Sequence, residues 1–546
     1  METSTRRDVL ILALTAATLR VIVPTGFGID HYDEGAYAMT AAALATGGWP
    51  EEIYPLQHYL SPPLFFGLAA LVMRVVGTTA VSLSSVSVVA GIGTVVLVYL
   101  AGRRWFGRAA AGAAALAVTL SDFHILYSRA GLTDVLFAGL FLLAIVLFAK
   151  AEEQGSLPIA AVAGVITGLA WNTKYHGWLA VVVAAVAVLP RLFGPNRRPW
   201  RPTVGRLVLA AAIAGTLYLP WVLFVEAQEG GYAKLAAEHS RFLRPGQAFQ
   251  NGLAQLRAQL YLEGWTARLA PLALVCWVML TNRATRRLDS VWYGALLVLS
   301  SLALGATAVI GLLALGAVAM LVRRHGIRWG PHWYPIVFFA LFAGLMPLYT
   351  PYPRLLLPCF VASTLLASAA IDEMLVAGMT PRLRKATWGF CAALTVLIFA
   401  RGLPAGAIPW SPRDGLQLAT FELNRIAHDP VPIVIVGEPG VVFYLRAIGR
   451  EAWHANKPDE ALRYVPAGSP YYLVGGIYSR RNRRVDRLAT WLERHPEATP
   501  VGTVQVTDMS DVRLLDDFGP PEARRFRLEK RSDYDLLVYY LERQSP

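Results

Sequence analysis

The chain has 546 residues, of which 55% are hydrophobic and only 16% charged, and its mean hydropathy is +0.44. Soluble globular proteins carry roughly 25% charged residues, so an ordinary water-facing surface is excluded, as are disordered and collagen-like chains. The formal charge of +13 would by itself raise the question of nucleic acid, but residues 410–546 hold 19 basic and 19 acidic groups, so the whole excess lies in the apolar part, 1–409.

Apolar stretches of about 20 residues, the length that crosses a bilayer, recur from residue 9 to about residue 403. The first, 9–27, follows Arg6 and Arg7 and lacks a small-residue cleavage site, so it is expected to remain as an anchor. Dense basic clusters punctuate the series: Arg103/Arg104/Arg108, five arginines in 191–206, Arg283/Arg286/Arg287, Arg323/Arg324/Arg328 and Arg382/Arg384/Lys385. Cations are retained in cytoplasmic loops, so these clusters mark the cytoplasmic side. With the N-terminus on that side, 28–62 is an outer loop and only one crossing can precede Arg103. The stretch 63–76 is too short to cross and is read as lying along the outer face, with 81–101 as the span.

Spans near 109–121, 135–150, 157–172, 177–192, 207–225 and 264–281 then alternate. The 32 residues of 291–322 have arginines at both ends and are expected to form a hairpin turning near Gly305. Spans at 332–349, 356–376 and 386–403 bring the count to about 13 and leave the C-terminus outside. The fold class is therefore a polytopic α-helical membrane protein. Beyond a Pro/Gly-rich joint at 402–412, strand patterns at 432–437 and 470–475 alternate with helix patterns at 441–448 and 485–494, which implies a C-terminal soluble α/β domain, 410–546, on the outer face. Its Gly437-Glu-Pro-Gly440 turn lacks the glycine spacing of a dinucleotide site. The four arginines 480, 481, 483 and 484 read as a solvated basic face. Cys276, Cys359 and Cys391 all lie in apolar runs and imply neither disulfides nor a zinc site.

The candidate chemistry gathers on the outer side. The first outer loop contains no Lys or Arg but carries Asp30, Asp33, Glu34, Glu51 and Glu52, around the run Asp30-His-Tyr-Asp-Glu-Gly-Ala-Tyr37. A carboxylate held here near the bilayer can act as a general base toward a hydroxyl or bind a cation. A second outer segment holds Asp122, His124, Tyr127, Ser128, Arg129 and Asp134, the last where a span begins. Three cations stand at span ends against the charge bias: Arg129, Lys174 and Arg354. Snorkelling toward lipid phosphates would explain any one of them. Three of them converging with carboxylates point instead to a phosphate-bearing substrate. The tyrosines nearest these charges, Tyr37, Tyr127, Tyr175 and Tyr352, are candidates for the pocket wall. A sugar linked to a lipid phosphate already has a good leaving group, so one carboxylate and several cations suffice for its transfer. A glycosidase would need two cooperating carboxyls. Metal dependence stays open, because no ligand cluster is compelling and a divalent cation is the one cofactor left to test.

Six short motifs occur in a familiar order: Asp-Glu-x-x-Tyr at 33–37, Ser-Pro-Pro-Leu at 61–64, Gly-Arg-Arg-Trp-Phe-Gly at 102–107, Tyr-Ser-Arg-Ala-Gly-Leu-Thr-Asp at 127–134, Asn-Thr-Lys-Tyr at 172–175 and Tyr-Pro-Arg-Leu-Leu-Leu-Pro at 352–358. In this order the chain resembles, over roughly residues 5–400, the C-type membrane glycosyltransferases of the protein O-mannosyltransferase and lipid A aminoarabinose transferase kind. The resemblance implies a polyprenyl-phosphate sugar donor, inverting transfer to a protein, lipid or glycan acceptor on the extracytoplasmic face of a bacterial inner membrane, and a soluble C-terminal domain there. It implies Asp33 as the catalytic acid/base with Glu34 beside it, Asp134 as the second acidic position, and Lys174 and Arg354 as holders of the lipid phosphate. Ser61 stands where relatives often have His, and His58 is out of register. The competing reading is a transporter or flippase of lipid-linked glycans. It would place ionisable groups at mid-membrane and repeat its halves, and neither feature is visible in the sequence.

Overall fold

A computed structural model describes residues 2–22, 26–48, 61–193, 200–228, 230–281, 287–326, 329–377, 380–401, 413–476, 479, 487–507, 509–517 and 535–543. Glu51, Glu52, His58 and the arginines at 480–484 lie outside the described residues. The helices in chain order are Thr3–Val21 (α1), Tyr32–Ala45 (α2), Leu64–Val76 (α3), Ala80–Phe106 (α4), Arg108–Thr119 (α5), Asp122–Ser128 (α6), Thr133–Gln154 (α7), Leu157–Trp171 (α8), Leu179–Ala187 (α9), Leu189–Phe193 (α10), Trp200–Glu226 (α11), Gly231–Ser240 (α12), Ala248–Tyr261 (α13), Trp265–Thr281 (α14), Arg287–Leu304 (α15), Ala306–His325 (α16), Trp333–Leu345 (α17), Leu357–Ala377 (α18) and Pro381–Arg401 (α19). Among the described residues five helical segments are long and apolar enough to cross a bilayer, α4, α7, α11, α16 and Pro353–Met374, and two bent pairs also qualify if each is one span.

The bundle packs on small residues, as lipid-embedded helices do. Seven of the 12 residues of α5 are buried alanines, which lets α4, α14 and α18 approach it closely. A Cβ added to its Gly112 would fall 1.7 Å from the indole nitrogen of Trp277 on α14. Two expectations change here. Within the first outer loop, residues 32–45 form the helix α2, and the second outer segment is not a loop at all. α5 bends by 61° into α6, where Asp122, His124 and Ser128 are fully buried. Ser121 makes the bend by capping α6 through the His124 N–H. The run 291–322 does break at Gly305, whose φ of +93° places it in glycine's region. The Glu263 carboxylate accepts from the Ala306 and Thr307 N–H groups just beyond.

The bundle has two chemically different ends. At one, Arg103 pairs with Glu2, Arg104 with Glu153, and Arg108 with Asp8. Glu152, on the same turn as Glu153, takes both Arg191 and Arg206, and Arg191 lies over Trp329. The 103–108 and 191–206 clusters therefore share one end, joined through the adjacent acids Glu152 and Glu153. At the other end sits residue 413 onward. Gly415–Ile426 (α20) leads to a five-stranded sheet of Ile433–Val436 (β1), Ala452–Ala455 (β2), Pro470–Gly475 (β3), Thr499–Val504 (β4) and Leu536–Glu542 (β5), with Pro439–Ala447 (α21), Arg487–Leu492 (α22) and Asp511–Asp517 (α23) around it. The strand order is β2-β1-β3-β5-β4. β1 runs parallel to β2 and β3, and β5 runs antiparallel to β3 and β4. β1 is buried on both faces, which is why its sequence is a continuous Ile-Val-Ile-Val. One hydrophobic core runs unbroken from the membrane helices into α20, α21 and α23.

Candidate active site

Asp30-His-Tyr-Asp-Glu is a capping box. The His31 Nδ1 accepts from the Asp33 N–H at 3.1 Å, and the Glu34 carboxylate reaches back to the His31 N–H at 3.1 Å. This starts α2 at Tyr32 and points the two adjacent acids in different directions. Glu34 turns inward and is wholly buried, accepting from the Gly131 N–H and from Arg413 at 2.5 Å each. Asp33 turns the other way, a third exposed, into a cavity of about 550 Å³.

That cavity brings together Asp33, Tyr37, Ser61, Lys174, Tyr175, Tyr352 and Arg354, with His176, Glu238, His239, Phe242 and Tyr349 on further walls. Arg354 donates to Asp33 at 2.7 Å. Lys174 donates to Asp134 at 2.5 Å, and Asp134 stands behind it with only 2% of its surface exposed. Burial pushes the Asp33 carboxyl up, but the neighbouring cations, Arg354 foremost, outweigh it and hold the group below its ordinary value. Burial lowers Lys174, and the Asp134 charge only partly offsets that. Burial also lowers His176, to about 3, so it is a neutral wall residue. The far wall is aromatic. Tyr175 meets His239 edge-on at 4.9 Å, and Phe242 stacks on Tyr349 at 5.7 Å.

Comparisons with known proteins address this architecture. A family profile described as dolichyl-phosphate-mannose-protein mannosyltransferase matches residues 61–224. The undecaprenyl phosphate-α-4-amino-4-deoxy-L-arabinose arabinosyl transferase of Pseudomonas aeruginosa strain PAO1 is 26% identical over 388 residues, which cover 69% of this chain and 62% of that protein. The matched region thus spans less than two thirds of the relative's length. Among solved structures, ArnT from Cupriavidus metallidurans bound to undecaprenyl phosphate superposes with a TM-score of 0.55 at 15% identity, covering 98% of this chain and 97% of that one. The chain has the fold of a C-type membrane glycosyltransferase. In sequence it resembles the mannosyltransferases and aminoarabinose transferases of that kind. The Archaeoglobus fulgidus oligosaccharyltransferase tethered with an acceptor peptide has the same fold, with a TM-score of 0.51 at 14% identity over 88% of this chain and 70% of that one.

Within this glycosyltransferase fold, the residues named from sequence divide. Asp33, Lys174, Arg354, Tyr37, Tyr175 and Tyr352 line the cavity, and Asp134 supports it from behind. Three expectations are corrected. Glu34 belongs to the buried ion cluster with Arg413 and Asp30 and does not reach the cavity. Arg129, 1% exposed, packs over the Phe27 ring at 5.1 Å with its carbonyl accepting from Arg413, so it is not placed to meet a donor phosphate. Tyr127 is buried and donates to Asp516 at 3.1 Å. Asp516 and Arg413 are absent from the sequence-based site, and Asp30 and His31 enter it only as neighbours of Asp33 and Glu34. Only the capping-box spacing, with Glu34 three residues after His31, was a local signal for any of this. Among the described residues no group of three His, Cys, Asp or Glu side chains is arranged to hold a metal ion.

Proposed function

We propose that this protein transfers a sugar, hexosyl or pentosyl, from a polyprenyl-phosphate donor to a hydroxyl of a protein, lipid or glycan acceptor. The cavity faces the extracytoplasmic side of a bacterial inner membrane, about 13 helices make up residues 1–409, and residues 410–546 form an external α/β domain. One observation carries the reading: a cavity at the end of the bundle opposite Arg103, Arg104 and Arg108 presents a part-exposed carboxylate, Asp33, directly beside Arg354 and with Lys174 on the same wall.

In the proposed reaction the donor phosphate lies against Arg354 and Lys174. Its arrival draws Arg354 off Asp33. Asp33 then takes the proton of the acceptor hydroxyl as that oxygen attacks the anomeric carbon from the face opposite the phosphate. The carbon–oxygen bond to phosphate breaks, the configuration inverts, and polyprenyl phosphate leaves with its new charge held by the two cations. No general acid is needed, because the leaving oxygen is already that of a phosphate.

Asp33→Asn is expected to lower transfer by at least about a thousandfold, within the range of a lost general base, while membrane insertion and melting temperature stay unchanged. The assay is transfer from undecaprenyl-phosphate-linked sugars by the purified protein. Mass spectrometry of surface glycans from a deletion strain, searched for one missing unit, identifies sugar and acceptor. Wild-type transfer by the Asn variant would sink the assignment.

A further inference from the structure

We infer that Asp516 is a positioning residue of this cavity: from the C-terminal unit it holds the Nε side of Arg354, leaving the Nη side to be exchanged between Asp33 and the donor phosphate. The inference rests on the function proposed above. Asp516 lies on α23, some 480 residues from Asp33 in sequence, and its side chain is wholly buried. Its Oδ2 is 3.3 Å from Arg354 Nε and 3.4 Å from His31 Nε2, while Oδ1 accepts from Tyr127.

The direction of each contact matters. The His31 Nδ1 accepts a backbone N–H, so the ring proton sits on Nε2, facing Asp516. Tyr127 and His31 thus aim the carboxylate, and among the described residues Arg354 is the permanent cation it meets. Among the described residues Oδ2 accepts no aligned hydrogen bond, so charge, not hydrogen-bond geometry, is what this oxygen offers. An ion pair serving only to glue two surfaces is favourable only when its remaining lone pairs are satisfied. With Asp33 alone, Arg354 would form a closed one-to-one pair at 2.7 Å, leaving the carboxylate a weak base and the guanidinium occupied. A second carboxylate on the opposite edge divides the attraction of Arg354 and keeps the guanidinium in place when phosphate displaces Asp33.

The contact is held by an extensive dock. Asp30 accepts from the Ser510 N–H at 2.6 Å, the Tyr444 hydroxyl accepts from the Ile29 N–H at 2.7 Å, and Tyr32 donates to Asn456 at 3.0 Å. A Cβ on Gly35 would fall 2.4 Å from the Gly440 nitrogen, so α2 and α21 touch backbone to backbone. The carboxyl edge of the sheet, where ligands bind in open α/β folds, is occupied here by the helix that bears Asp33.

The test uses the full-length protein in nanodiscs, with undecaprenyl phosphate as the binding probe and an undecaprenyl-phosphate-linked sugar for turnover. Asp516→Asn removes one buried negative charge near the phosphate site, so undecaprenyl phosphate should bind about three- to tenfold tighter while turnover falls at least about tenfold. Asp516→Glu should restore part of the turnover. A purely structural contact would weaken affinity and turnover together, and that result, or wild-type values for both, overturns the inference. If Asp516→Asn does not fold, Tyr127→Phe decides: a several-fold loss of turnover at unchanged affinity supports the role, and wild-type turnover overturns it. A wild-type protein that neither binds undecaprenyl phosphate nor transfers sugar would instead refute the proposed function.

Discussion

Asp33 and Glu34 are chemically alike and adjacent, yet a helix turns successive side chains about 100° apart, and here that angle separates solvent from interior. Asp33 faces His31, Tyr37, Lys174, Tyr349 and Arg354, with Asp516 reaching it through Arg354. The Arg354 charge is what keeps Asp33 below its ordinary value against burial. A base works when deprotonated, so activity is present above the folded-state pKa and lost as pH falls through it. In the wild type the acid limb of kcat/KM should therefore lie below the ordinary aspartate value. Arg354→Ala removes the opposing charge and leaves the burial, so its residual activity should show an acid limb displaced upward. A pH profile of the two proteins checks this, and an unmoved limb would mean that Asp33 is not the titrating base. Lys174→Ala should raise the donor KM roughly tenfold, the size of one lost charge-assisted contact, with kcat less affected. Lys174 and Arg354 were legible in the sequence because a cation on the wrong side of a membrane protein calls for a reason. Arg129 satisfied the same criterion, but it is buried over the Phe27 ring, outside the cavity lining, and charge placement cannot tell the two situations apart.

At the scale of elements, the N-terminus of α2 is fixed from four directions. Its capping box is local, but Arg413, Ser510 and Tyr444 all come from beyond residue 409. Arg413 is the centre of this arrangement, donating to Asp30, Glu34 and the Arg129 carbonyl at once. Removing one partner from a buried ion cluster leaves uncompensated charge, at a cost of about 3–5 kcal/mol. Arg413→Ala should accordingly lower the melting temperature in detergent and abolish transfer, although the side chain lies outside the cavity. Glu34→Gln, which removes one of the two charges facing Arg413, should be milder in both. A melting temperature for Arg413→Ala within a degree of wild type would show that the cluster is not what holds α2. Apolar periodicity located the helices of the bundle, since ~20-residue spans and their flanking arginines are local signals. The bend between α5 and α6 and the dock between α2 and α21 depend on which surfaces meet, and no window of sequence records that.

For the whole molecule, the +13 charge is a statement about orientation. Arginines of the α4–α5 turn and from both sides of the 194–199 stretch are tied down at one end by acids at the start of α1 and the end of α7. The cavity, with Asp33 paired to Arg354, and the neutral C-terminal unit occupy the other. If arginine retention sets the topology, the first end is cytoplasmic and a lipid-linked donor must reach the cavity from the outer leaflet. The two exposed arginines Arg324, at the end of α16, and Arg463, beside the sheet, report on the two ends. In a background with Cys276, Cys359 and Cys391 replaced by Ser, Arg463→Cys should react with a membrane-impermeant maleimide in right-side-out vesicles. Arg324→Cys should react only after permeabilisation. The reverse pattern would place Asp33 in the cytoplasm, where it could meet a nucleotide-activated sugar, and the lipid-linked donor would lose its main support. The opposed outcomes follow from physics already visible in the chain: moving the basic end across a bilayer costs far more than moving the neutral one.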